Sequence, residues 1–141
     1  MYKRQVFFKV FDAQVQPIVL YGAEIWGVDN SSYVIEKLHL LAMKKMLGVG
    51  MRTPNDLING ELGRFPIYNN AQIRCVRYLL KLTQMSEQRL PFILCNLDER
   101  GQTNWVSNVR CLLSSYGFRY IWDSQGVGHI DEFLKVFRQS Y

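Results

Sequence analysis

Apolar side chains recur along this chain at intervals of three and four, broken by glycine, proline and short polar clusters, and there is no run of alternating strands. Such spacing returns to one face only in a helix of 3.6 residues per turn, so each periodic segment reads as an amphipathic helix. The expected fold is therefore all-α, an irregular bundle of six to eight helices with no internal repeat or low-complexity tract. The 141 residues suit one domain, or one domain with an appendage. A hydrophobic content of 48%, with 13% aromatic residues, is ample to offset the entropy of ordering such a chain.

The breaks give the helix bounds. Residues 3–20 carry Phe7, Val10, Phe11, Val15, Ile18 and Val19 at helical spacing, and Pro17 is expected to weaken or kink that helix, with two shorter pieces as the alternative. The polar run Asp29 to Ser32 supplies caps for a helix over about 32–47, with Val34, Ile35, Leu38, Leu41, Ala42 and Leu47 inward and Gly48 as its stop. Thr53-Pro54 opens a short helix to about Leu62, which Gly60 and Gly63 interrupt or end. Pro66 opens a longer one to about Gln84, burying Ile67, Ala71, Ile73, Val76, Leu79, Leu80 and Leu82. Further helices are expected at 87–98, from Thr103 to Ser115 with Trp105, Val109, Leu112 and Leu113 inward, and at 129–139 with Ile130, Phe133, Leu134 and Phe137 inward. Phe118 to Trp122 reads equally as strand or helix. Residues 1–98 form one helical region with basic faces, and 99–141 an extension expected to pack on the same core.

The net charge of +5 is unevenly spread. Residues 1–36 hold three basic and four acidic side chains, and residues 82–141 hold six of each. Residues 37–81 hold eight basic side chains against Asp56 and Glu61, a net of +6. A charge excess confined to one third of a chain points to a polyanionic partner. No window holds eighteen uncharged apolar residues, so no membrane span is expected. Lys9 and Asp12 interrupt the apolar run near the N-terminus, which argues against a secretory signal. Cys75, Cys95 and Cys111 are odd in number and widely spaced. They read as small buried side chains in a reducing, intracellular compartment, nuclear or cytoplasmic.

Catalytic patterns are missing. Two-metal phosphoryl transfer needs closely placed aspartates, and the only adjacent carboxylates are Asp98-Glu99, in an expected loop, and Asp131-Glu132, where acids suit a helix N-terminus. His39 follows Glu36 by three residues, which is not a zinc-protease spacing, and His129 is expected to start the last helix. No phosphate-loop glycine pattern is present, and Gly48-Val49-Gly50 follows a helix where such a loop needs a strand. The expectation is a protein that is not an enzyme and carries neither cofactor nor metal.

Pro17 to Gly27, PIVLYGAEIWG, is followed by an IEK-L-H helix ending KKMLGVG, then TPND, GELGRFPIY and the basic-apolar run RCVRYLLKL. In order and spacing these segments resemble the region that follows the palm in reverse transcriptases of LINE-type, non-LTR retrotransposons. The resemblance covers about residues 5–97, with clear motifs in 17–82 and a weak continuation beyond Thr103. It implies a thumb and C-terminal extension, whose parent protein would be an RNA-directed DNA polymerase carrying out target-primed reverse transcription. The palm's paired aspartates and an endonuclease are not in this chain, so only a supporting role carries over.

A thumb grips nucleic acid through phosphates, which need cations rather than catalytic groups. Arg74, Arg77 and Lys81 fall on one helix face, Lys44, Lys45 and Arg52 gather at the end of the preceding long helix, and Arg64 stands beside Phe65 and near Tyr68, a setting for a terminal or unpaired base. These seven cations are the candidate ligands for RNA, DNA or an RNA–DNA hybrid, and a polymerase palm is a candidate protein partner. Tyr21, Gly22, Glu24 and Trp26 read as structural, with Tyr21 and Trp26 as core anchors and Glu24 paired to a cation or a helix end. Gly60, Gly63, Phe65 and Pro66 read as a fold-determining turn. The alternatives are a helical protein-interaction module without a nucleic-acid role, and a translated relic without function.

Overall fold

A computed structural model describes residues 2–29, 31–86, 88–89, 104–124 and 127–141. Among these residues the chain is all-α, with eight helical units and no strand. The first unit runs through α1 (Tyr2–Val10), a π-helical turn (Phe11–Val15) and α2 (Gln16–Val19). There follow α3 (Ala23–Trp26), α4 (Ser31–Leu47), α5 (Asn55–Leu62), α6 (Ile67–Thr83), α7 (Trp105–Ser115), α8 (Arg119–Ser124) and α9 (Ile130–Gln139). The expected helix at 87–98, the cap at Thr103, Cys95, Asp98-Glu99 and the linker near 98–103 lie outside the described residues, save 88 and 89.

Pro17 does not break the first helix. Its ring would clash with the carbonyl four residues back, and it has no N–H to give that carbonyl. The chain widens just before it: the N–H of Gln16 reaches the carbonyl of Phe11, five residues back, and the helix resumes at Gln16. Pro54 and Pro66 stand one residue before α5 and α6, in extended backbone, as caps rather than as first-turn residues. Gly60 lies inside α5, and Gly63 ends it at φ 59°. Phe118 to Trp122 resolves as helix, since most of the stretch is taken into α8.

α6 is the central helix and packs against α3, α4, α7 and α9. All seven of its expected inward residues are buried, joined by Cys75. Its Ile73, Val76, Leu79 and Leu80 meet Val109 and Leu113 of α7, Ile121 of α8 and Phe133, Leu134 and Phe137 of α9 in the largest core cluster. Its start, Ile67 and Ala71, packs on Leu20 and Ala23. Phe11, Leu40, Met43 and Ile58 make a third cluster between the π turn, α4 and α5.

α4 keeps part of the expected orientation, with Ile35, Ala42 and Leu47 packed against the core, but is rotated from it elsewhere. Val34 and Leu38 are both 59% exposed, and the buried face is Glu36, His39, Leu40 and Met43. The cause is polar. Pro66 leaves α6 no capping side chain, and the Glu36 carboxylate supplies one across the interface: Oε2 accepts the N–H of Ile67 at 2.7 Å and of Tyr68 at 3.3 Å. Glu36 Oε1 and His39 Nδ1, 3.7 Å apart and buried, have no hydrogen-bond partner among the described residues.

Candidate nucleic-acid interface

The segment from Leu20 to Gly27 fixes where α6 and its cations sit. Gly22 takes φ 69°, a turn that lets the four-residue α3 start directly after α2. So short a helix leaves its carbonyls in need of donors. Arg74 Nη1 donates to the carbonyl of Leu20 at 3.1 Å, Trp26 Nε1 to that of Tyr21 at 2.9 Å, Cys75 Sγ to that of Ala23 at 2.9 Å and Trp105 Nε1 to that of Glu24 at 3.0 Å. Gly27 lies so close to α6 that a Cβ there would stand 2.6 Å from the Ala71 carbonyl oxygen. Burial pushes the Cys75 thiol up to about 12, against the pull of the Gly27 and Val28 peptide groups.

These contacts correct the expected roles within the motif. Tyr21 is no core anchor: its side chain is 85% exposed, and it is its backbone that is engaged, the N–H with the Ile18 carbonyl and the carbonyl with Trp26. Trp26 packs on the Leu20–Ala71 cluster as an anchor should. Glu24 Oε1 lies 3.9 Å from Arg74 Nη1, the expected cationic partner. Among the other cysteines, Cys111 is exposed rather than buried.

The seven candidate cations divide into three kinds. Lys44 is 6% exposed, and its Nζ donates to the Met51 carbonyl at 3.0 Å, tying down the loop after α4. It is a structural residue and not a surface ligand, which corrects its place among the phosphate-binding cations. Arg64, Arg74 and Arg77 have acidic partners. Arg64 bonds Asp12 and lies over the Phe8 ring at 4.9 Å, whereas Phe65 beside it is largely exposed. Arg77 Nη2 meets Asp131 Oδ1 at 3.3 Å, with both side chains open to solvent. Lys45, Arg52 and Lys81 are exposed, and their side chains make no hydrogen bond or ion pair among the described residues.

Two cations that the sequence did not single out join this surface. Lys135 and Arg138 lie three apart on the outer side of α9, whose Phe133, Leu134 and Phe137 lock it onto α6. Arg138 thereby lines the same hollow as Arg74 and Arg77. The available signal was the i, i+3 spacing opposite an apolar stripe, hidden within a C-terminal segment of no net charge. No group of three or more His, Cys, Asp or Glu side chains able to hold a metal ion occurs among the described residues. No described helix is long and apolar enough to cross a membrane.

Compared with protein-family models, with curated proteins and with solved structures, the chain matches none. What the geometry itself defines is an all-α domain with exposed cations on α4, the α4–α5 loop, α6 and α9.

Proposed function

We propose that this chain is a non-catalytic, nucleic-acid-binding fragment of a LINE-type reverse transcriptase, holding RNA or DNA through backbone phosphates in support of a polymerase palm. The observation that carries this reading is that Lys45, Arg52 and Lys81 stand in solvent without an acidic partner among the described residues. Cations held free in this way gain by neutralising phosphates and releasing counterions, whereas a cation already paired gains less. The ancestry rests on the motifs between Pro17 and Leu82. Binding to an RNA–DNA hybrid on filters, across a salt series, tests the function. The wild-type chain binds with a steep salt dependence, and a variant with Lys45, Arg52 and Lys81 all changed to Glu loses most of that affinity. Equal binding by the two chains rules the site out.

A second reading, a helical protein-interaction module, draws on a different observation. Ile18, Tyr21 and Ile25 are each at least 70% exposed, three large apolar side chains within the Pro17–Gly27 motif. Sedimentation showing a single monomeric species at all concentrations, with no capture of a separately expressed palm domain, removes it.

A further inference from the structure

The C-terminal helix α9 forms one wall of a charged groove against α6. Two adjoining hollows, of about 290 and 540 Å³, share Ile73, Arg77 and Arg138 in their linings. The first is closed by the N-terminal helix around Asp12 and Pro17 and includes Arg74; the second runs along α9 past Asp131 and Lys135. Four cations and two carboxylates therefore face the groove. Of the carboxylates, Asp12 is already bound by Arg64, and Asp131 engages Arg77 alone among the described residues. Arg138 and Lys135 have no acidic partner among the described residues.

That arrangement suits a phosphate group better than a neutral ligand. A guanidinium presents its N–H groups as a fork that matches two phosphate oxygens, and guanidinium is less heavily hydrated than ammonium. Ile73 and Leu134 give the groove an apolar floor beneath these solvent-facing charges. Lys81 lies one helical turn beyond Arg77 on α6, so a strand seated here continues onto the exposed face already described.

We infer that Arg77 and Arg138 clamp one backbone phosphate of the bound nucleic acid in the α6–α9 groove, with Lys135 beside it, and that Asp131 occupies Arg77 until the phosphate displaces it. This rests on the nucleic-acid reading above and adds the C-terminal helix to the interface.

The test uses the full chain and a fluorescently labelled RNA–DNA hybrid, with anisotropy read across a sodium chloride series. Lys135→Gln with Arg138→Gln weakens binding about tenfold and lowers the slope of log affinity against log salt by about 0.9 for each phosphate that is no longer neutralised. Asp131→Asn acts in the opposite direction and tightens binding several-fold, because it frees Arg77, and a folding defect does not produce a gain. Wild-type affinity and slope in the Lys135/Arg138 variant, while the Lys45/Arg52/Lys81 variant is weakened, overturn the groove and leave the nucleic-acid reading standing. Unchanged or weaker binding by Asp131→Asn overturns the displacement of Asp131. A wild-type chain that binds no hybrid at any salt overturns both the groove and the reading beneath it.

Discussion

Glu36 Oε2 accepts the backbone N–H of Ile67 at 2.7 Å, so that a carboxylate on α4 serves as the missing cap of α6. The two residues are distant in sequence, and the bond sets both the rotation of α4 and the starting point of the helix that carries Arg74, Arg77 and Lys81. Because the acceptor is charged and sits at a helix N-terminus, the interaction belongs among the stronger hydrogen bonds.

Changing Glu36 to Ala leaves two N–H groups at the start of α6 without an acceptor in a buried setting. The expected loss is about 1–3 kcal/mol of unfolding free energy, read by urea titration with circular dichroism. Glu36→Gln retains an acceptor oxygen and loses the charge, so it falls between Ala and the wild type. Equal stability of Ala and wild type refutes the capping role.

Gly27 and Gly63 separate two meanings of glycine. A methyl group at Gly27 meets the carbonyl oxygens of Ala23 at 2.5 Å and Ala71 at 2.6 Å, both backbone atoms that cannot swing aside. Gly27→Ala is expected to cost about 3 kcal/mol or more, since it forces α3 away from α6. Gly63→Ala meets no atom within 4 Å and is disfavoured only by its left-handed backbone, about 1 kcal/mol. Thermal melts of the two variants give the order, and a milder effect at Gly27 than at Gly63 contradicts the close approach.

The buried Cys75 thiol makes stability depend on alkaline pH. Its pKa rises from 9.0 to about 12 on folding, so the folded chain holds the proton more tightly than the unfolded one. The contribution is complete below pH 9 and is lost as pH climbs towards 12, at no more than about 1.4 kcal/mol per pH unit. Cys75→Ala flattens this decline between pH 9 and 10. Burial also raises Tyr141, whose hydroxyl donates to Gln72 Oε1 at 2.9 Å, so both chains lose stability above pH 10. Parallel curves for the two chains below pH 10 count against a thiol buried in its neutral form.

Much of this architecture could be read from periodicity and punctuation. The buried face of α6 follows directly from Ile67 to Leu82 because that face is almost wholly apolar, with Asn69 its one polar member. The rotation of α4 could not be read the same way. Its apolar residues Val34 and Leu38 lost the inward position to Glu36, whose partner lies on another helix and leaves no local trace. The site was legible as a charge excess in residues 37–81 and not as a set of individual ligands. Lys44 and Arg74 look like Lys45 and Lys81 in sequence, yet distant or loop carbonyls claim them. Arg138 reaches the groove only through the docking of α9.

Lys44 and Lys45 put that distinction to a direct test, being adjacent in sequence and opposite in setting. Lys44→Met breaks the bond to the Met51 carbonyl and keeps most of the apolar stem's packing. It is expected to cost about 1 kcal/mol of stability and to leave the salt slope of nucleic-acid binding unchanged. Lys45→Glu changes an exposed position whose side chain has no partner among the described residues, so stability stays within about 0.5 kcal/mol while affinity for the hybrid falls and the slope shrinks by about 0.9. Chemical denaturation and anisotropy on the same two proteins measure both quantities. The reverse pattern, with Lys44→Met lowering the slope and Lys45→Glu leaving it intact, means that the buried lysine is released on binding and is the true ligand.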